Sequence, residues 1–348
     1  MLDYFRSSAI FTLICLILAF LTGYLSTHSV SLAFSGVLTC LILALLEISL
    51  SFDNAVVNAS VLQKMSALWQ KRFLTWGMVI AVFGMRLVFP LLIVAVSAHL
   101  GPVETLKLAL SQPDRYALIL SKAHTGIMGF GGAFLLMVGL GFFFDEEKKT
   151  HWLAVIERPL QKLSACKGSE TVIVLMVVFV IARFLPEFES FTFLSAAVFG
   201  LIAYITVQGL GSFLEDLMQS ANKVAKAGLG TFIYLEMMDA SFSFDGVIGS
   251  FALTNNLIII ALGLGIGAMF VRSLTMMLVK RGTLNSYRYL EHGAFWAILV
   301  LGMIMLVSTF QEIPELVTGL AGIGLIVASL MSSVIRNRKV TKGMDGKI

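Results

Sequence analysis

The chain reads as an all-α, polytopic membrane protein, about ten transmembrane helices built as an inverted repeat with two acidic, interrupted helices. Three observations predict that class. Of 348 residues, 58% are hydrophobic and 13% charged, which leaves too little charge to coat a water-soluble fold of this length. The apolar runs reach the roughly 20 residues that a helix needs to cross a bilayer. The stretch Glu47-Ile48-Ser49-Leu50-Ser51-Phe52-Asp53 returns as Asp239-Ala240-Ser241-Phe242-Ser243-Phe244-Asp245. In each, a carboxylate precedes an Asp by six residues inside what otherwise looks like membrane helix.

The predicted spans are 9–25, 33–60, 73–98, 124–144, 170–185, 191–212, 230–253, 257–279, 291–310 and 314–335. The first lacks a small-x-small cleavage site after its long apolar stretch, so it is kept as a span rather than a signal peptide. With the N-terminus inside, nineteen lysines and arginines fall in inner segments, against Lys107, Arg115 and Lys122 outside. That excess sets both ends in the cytoplasm and the chain in the inner membrane. The acidic spans are the second and the seventh, so they cross in opposite senses, as in the inverted repeats of secondary transporters. The organisation follows: 1–32 an extra N-terminal helix, 33–144 a first repeat, 145–169 a cytoplasmic loop, 170–335 a second repeat with additional spans, and 336–348 a basic tail.

The net charge of +4 is spread among loops and forms no nucleic-acid patch. Cys15, Cys40 and Cys166 are isolated and indicate neither a thiolate metal site nor a disulfide framework. Asp145-Glu146-Glu147 and Lys148-Lys149 read as a solvated loop, and His99, His124 and His292 as interfacial residues. The partners expected are the lipid bilayer and a metal ion. No prosthetic group is indicated, and nothing in the sequence sets the oligomeric state.

Five acids, Glu47, Asp53, Glu236, Asp239 and Asp245, fall within the two repeated spans. Unpaired at the bilayer centre they would together cost about 12–18 kcal/mol on the insertion scale, so protons, arginines or a bound cation must neutralise them. Arg86 and Arg272, each in the span after an acidic one, balance two. A divalent cation and a proton would balance the rest. Ser49, Ser51, Ser241, Ser243, Asn54 and Asn58 add oxygen donors, without His or Cys. Oxygen-only ligation suits manganese, calcium or magnesium better than zinc or copper. The expected metal ligands are Glu47, Asp53, Asn54, Glu236, Asp239 and Asp245, supported by Ser51, Ser243, Arg86 and Arg272. Glu236 has Ala44 as its counterpart in the first half.

Acids six residues apart on one helix are separated by about 240° of rotation and 9 Å of rise. Either the helices are interrupted or the acids are successive stations on a path. The turn-type dipeptides Asp53-Asn54 and Asp245-Gly246 predict breaks around 51–54 and 243–246.

These motifs resemble the TerC-type integral membrane proteins of the LysE-like exporter superfamily. The resemblance rests on Glu47-x-x-Leu50-Ser51-x-Asp53-Asn54-Ala55, on Asp239 with Asp245, on Gly84-x-Arg86, on Gly131-Gly132-x-Phe134-Leu135, on Arg272, and on Tyr289-Leu290 with Gly293. It covers most of 33–310. It implies manganese export and, through the family's name, tellurite resistance, although an acidic site repels tellurite. Where the family continues Asp-Ser-Ile-Pro-Ala, this chain has Asp245-Gly246-Val247-Ile248-Gly249, which marks a distinct branch. The function expected is export of a divalent cation, manganese first, by proton antiport and without enzymatic activity. Two alternatives are an intramembrane aspartyl protease, which also sets one Asp on each of two spans, and a membrane-assembly factor that transports nothing.

Overall fold

The computed structural model describes residues 2–146, 148–166, 168–217, 223–251, 253–311 and 313–345, and no strand occurs among them. α1 (Leu2–Thr27) and α2 (Val30–Leu50) form an opening hairpin. α2 stops at Ser51, whose φ of −102° and ψ of 17° lie in the sparsely populated bridge region. The chain resumes as α3 (Phe52–Leu62). A break here matches the turn-type composition of the sequence.

The next span runs from Ala67 to Ala98 and is not a uniform α-helix. It begins as α4 (Ala67–Arg72), widens to π-helical geometry over Phe73–Gly77 and again over Ile80–Val88, and ends as α5 (Phe89–Ala98). Pro90 gives one reason: its ring crowds the carbonyl four residues earlier, at Arg86. Such widened turns are frequent at functional sites. The loop expected at 99–123 instead folds into two short helices, α6 (Pro102–Ser111) and α7 (Pro113–Lys122).

α8 (His124–Phe143) follows, then α9 (Ala154–Leu163), α10 (Ser169–Ala182), α11 (Glu187–Leu217) and α12 (Lys223–Ser250). α12 is helical through Ser243, Phe244, Asp245 and Gly246, so the break predicted at 243–246 does not occur. Gly246 serves another purpose: a methyl group there would lie 3.0 Å from a Glu47 carboxylate oxygen. The glycine admits an acid from the other half rather than bending its own helix. α13 (Leu257–Lys280), α14 (Thr283–Ser286), α15 (Leu290–Val307) and α16 (Glu315–Asp345) complete the chain.

Among the described residues, eight helices are long and apolar enough to cross a membrane. α10, at 14 residues, is shorter than a usual span, and α12 carries the second acidic motif. The chain is therefore an all-α polytopic membrane protein. α8 and α13 form its middle, with 78% and 72% of their most apolar windows buried, against 22% for α1. Side chains such as Leu13, Phe34, Val96, Phe179 and Phe191 stay exposed, as lipid-facing residues do.

The segment between α8 and α10 keeps Asp145, Glu146 and Lys149 exposed, as a solvated loop would, but further along it buries an acid against α15. Glu157 is 1% exposed. Its carboxylate accepts the Trp152 and Leu153 backbone N–H groups at 3.0 and 3.1 Å and the Trp296 indole N–H at 3.1 Å. His292, expected at the interface, is buried beneath it with Nε2 2.8 Å from the Thr150 carbonyl. The Lys148 ammonium lies 3.3 Å from the Phe142 ring centroid. Burial lowers the Lys148 pKa to about 8, opposed by Glu157, Glu291 and Asp145.

Two predictions follow from this strap. Glu157→Ala leaves buried N–H donors unpaired at about 1–3 kcal/mol each, and should lower the melting temperature in detergent well below that of Glu157→Gln. For Lys148, the folded state holds fewer protons than the unfolded one between pH 8 and the ordinary lysine pKa of 10.5. Its contribution to stability must then rise with pH across that window. Melting of wild type against Lys148→Met should show wild type gaining on the variant from pH 8 to 10.

Candidate functional site

Glu47 lies at the last turn of α2 and is 2% exposed. One oxygen receives both the Ser51 hydroxyl, at 2.9 Å, and the Arg86 guanidinium. The break at Ser51 thus turns a hydroxyl back onto the acid one turn earlier. The carbon stem of Glu47 lies against Gly267 of α13, where any methyl group would overlap it. Arg86 also donates to the Ala81 carbonyl within the second π-helical segment. A backbone carbonyl has two lone pairs, so Ala81 can accept the guanidinium as well as a backbone N–H.

The second half is built more loosely. Arg272 of α13 donates to the Phe73 carbonyl, which opens the first π-helical segment, and lies over the Phe73 ring at 4.2 Å. It faces Asp239 at 3.8 Å and Glu236 at 3.9 Å, ion-pair distances without a hydrogen bond. Gly77 provides the notch for this group, since a methyl there would overlap Glu236 Oε1.

The two halves meet at Asp239. Its Oδ1 accepts from Asn54 Nδ2 at 2.5 Å and from Asn58 Nδ2 at 3.3 Å. A carboxylate only accepts, so both amides must direct nitrogen to it and turn oxygen away. Those oxygens, Asn54 Oδ1 and Asn58 Oδ1, are buried with no hydrogen-bond partner among the described residues. Both asparagines line a cavity of about 10 Å³ together with Glu47, Ser51, Asp239, Arg86 and Arg272. That is room for one water-sized body.

Of the residues expected to hold a metal, the structure gathers Glu47, Asn54 and Asp239 on this cavity and adds Asn58. Asp53 and Glu236 are absent from its lining. Asp53, 4% exposed, accepts the Asn54 backbone N–H at 2.9 Å and points to α16, where a methyl at Gly322 would lie 3.5 Å from its Oδ2. The break at Ser51 does not rotate Asp53 round to Glu47, so the two are separate stations. Glu236 keeps to the Gly77 notch. Ser243 is buried away from the cavity lining, its hydroxyl unpaired among the described residues. The Asp245 side chain lies outside the described residues. Among the described residues, no three His, Cys, Asp or Glu side chains converge as a ready-made metal cluster. The arrangement is two carboxylates and two amide oxygens, with an arginine beside each acid.

Asn58, named from sequence only as an additional oxygen donor, and the two π-helical acceptors are not among the ligands expected from sequence. A signal for Asn58 existed, because it lies four residues after Asn54 and so on the same helical face. Nothing in the sequence marks the Phe73 and Ala81 carbonyls as acceptors for arginines.

Comparison with known proteins agrees with the membrane architecture. The model of a family described as protein of unknown function, DUF475, matches residues 52–340. An uncharacterized membrane protein of Myxococcus xanthus is 23% identical over 296 residues, covering 84% of this chain and 72% of its own length. No solved structure matches. The TerC resemblance has no counterpart among these matches.

The Arg86–Glu47 pair yields a stability test. Arg86→Gln strands a buried carboxylate, and breaking a buried pair costs about 3–5 kcal/mol. Thermal melting in detergent should show that loss, and Glu47→Gln combined with Arg86→Gln should recover most of it.

Proposed function

The chain belongs to the DUF475 family, and we propose that it is a transporter that moves a divalent cation out of the cytoplasm through the cavity between α2, α3, α12 and α13. The observation that carries this reading is the pair of buried, unpartnered amide oxygens of Asn54 and Asn58 beside Glu47 and Asp239. Orphaned acceptors inside a membrane protein are costly, and a cation is the species that satisfies several of them at once. All the donors are hard oxygens, which favours manganese, then calcium or magnesium.

Charge supports the same reading. Four described acids, Glu47, Asp53, Glu236 and Asp239, face two arginines. The surplus of two negative charges equals one divalent ion or two protons. In this scheme Glu47, Asp239, Asn54 and Asn58 hold the cation. Arg272, held to its acids only at 3.8 and 3.9 Å, gives way to it, while Arg86 stays bonded to Glu47. Asp53 stands apart and carries the exchanged proton. Asp245 is assigned to the same path by its repeat position. The N- and C-termini face the cytoplasm of the inner membrane in this reading, and no chemical step is catalysed. The protease reading lacks support in the geometry, because the acids on the cavity are engaged by arginines and amides rather than by each other.

The test is flux of manganese, calcium, magnesium, zinc and iron in proteoliposomes, with and without a pH gradient. Glu47→Gln and Asp239→Asn should each abolish flux of the transported ion. Asn58→Leu should reduce it at least tenfold, about the cost of one lost ligand. Asp53→Asn should remove the dependence on the pH gradient. Undiminished flux in Asp239→Asn would refute the assignment.

A further inference from the structure

Beside the small cavity lies a second one of about 250 Å³, lined by Tyr4, Met78, Met269, Arg272, Ser273 and Met276 among others. Arg272 is the one residue that lines both. The second cavity sits where α1 begins and α13 ends, so it belongs to the face of the membrane that carries the N-terminus. Lys280, in the last turn of α13, lies 5.5 Å from the Tyr4 ring and marks that end. Deeper in, the Ser8 and Ser273 hydroxyls pair at 2.7 Å and Ser8 reaches the Met269 carbonyl at 2.9 Å. Of these, Ser273 lines the chamber, as does Ser7.

Arg272 separates this chamber from the site. Its guanidinium is fixed on one side by the Phe73 carbonyl and ring, and on the other touches Asp239 and Glu236 only at ion-pair distance. Its NH2 has no hydrogen-bond partner among the described residues, although it is buried. Arg86 differs: it is bonded directly to its acid and does not line the chamber. One arginine is locked in place and the other is a loosely held barrier between a roomy space and a closed one.

We propose that the 250 Å³ chamber is the water-filled vestibule through which the cation enters from the N-terminal face, and that Arg272 is its gate. An incoming divalent ion competes with Arg272 for Asp239 and Glu236, and the guanidinium withdraws toward Phe73. This deepens the transport reading and rests on it for its purpose, but the path itself can be tested with no ion moving.

The test is thiol labelling of the full-length protein in vesicles of both orientations, with the N-terminal face identified by a protease-sensitive tag. Cys15 and Cys40 are buried and Cys166 is exposed, so Cys166→Ser provides a silent background. In it, Ser273→Cys should react with a membrane-impermeant methanethiosulfonate from the N-terminal face and not from the other. Thr275→Cys, whose position lines only the closed cavity, should be inert with Arg272 present. In the Arg272→Ala background it should react about ten times faster or more, since access to the thiol limits its chemistry. If Arg272→Ala fails to insert, Arg272→Lys keeps the charge, loses the fork that reaches Phe73, and should show a smaller rise.

Reaction of Ser273→Cys only with a lipid-soluble maleimide would make the chamber a lipid groove and overturn the vestibule. Thr275→Cys with the same reactivity, high or low, whether or not Arg272 is intact would overturn the gate. Labelling as expected in a protein that moves no cation would leave the vestibule standing and remove the transport reading. Flux without labelling would do the reverse.

Discussion

The constraint behind this structure is the cost of charge in a medium that cannot solvate it. A bilayer interior offers neither water nor counter-ions, so each buried acid must find a positive or hydrogen-bonding group within the protein. The fold meets this with two arginines, each on the helix that follows an acidic segment. Much else follows from seating them. Carbonyls of the π-helical segments Phe73–Gly77 and Ile80–Val88 accept from the guanidinium groups. Gly77 and Gly267 leave space for the acids they meet.

The two halves use the same components with different rigidity. In the first, Ser51, Arg86 and Glu47 form a closed set of direct bonds. In the second, Arg272 meets its two acids only at a distance. A fully bonded pair resists rearrangement because breaking it strands a charge. A loosely held one can exchange partners at lower cost. Under the transport reading proposed above, such unequal stiffness would let one half stay fixed while the other exchanges partners.

Outside the membrane interior, burial contradicts the apparent character of the sequence between α8 and α10. From composition Lys148 reads as part of a solvated loop and His292 as an interfacial residue. Instead, the Glu157 carboxylate ties Trp152, Leu153 and Trp296 into one unit over the end of α8. It is legible only once two segments 139 residues apart are seen to touch.

The sequence by itself determined the membrane class, which acids and arginines fall within the two repeated spans and those that follow them, and the break near Ser51. Each of these is a local property: an apolar run of sufficient length, a charge in the wrong solvent, or a turn-forming dipeptide. It could not decide which acids share a space. Spacing sets the angle between residues on one helix, but the rotation of that helix against its neighbours is set by packing. Thus Glu47 and Asp239 meet one cavity while Asp53 turns to α16 and Glu236 to Gly77. The same limit explains Asp245-Gly246, which reads as a turn in isolation. There the helix continues, because a glycine at a close crossing looks in sequence like a glycine at a bend, and only the neighbour that fills the missing side chain's place tells them apart.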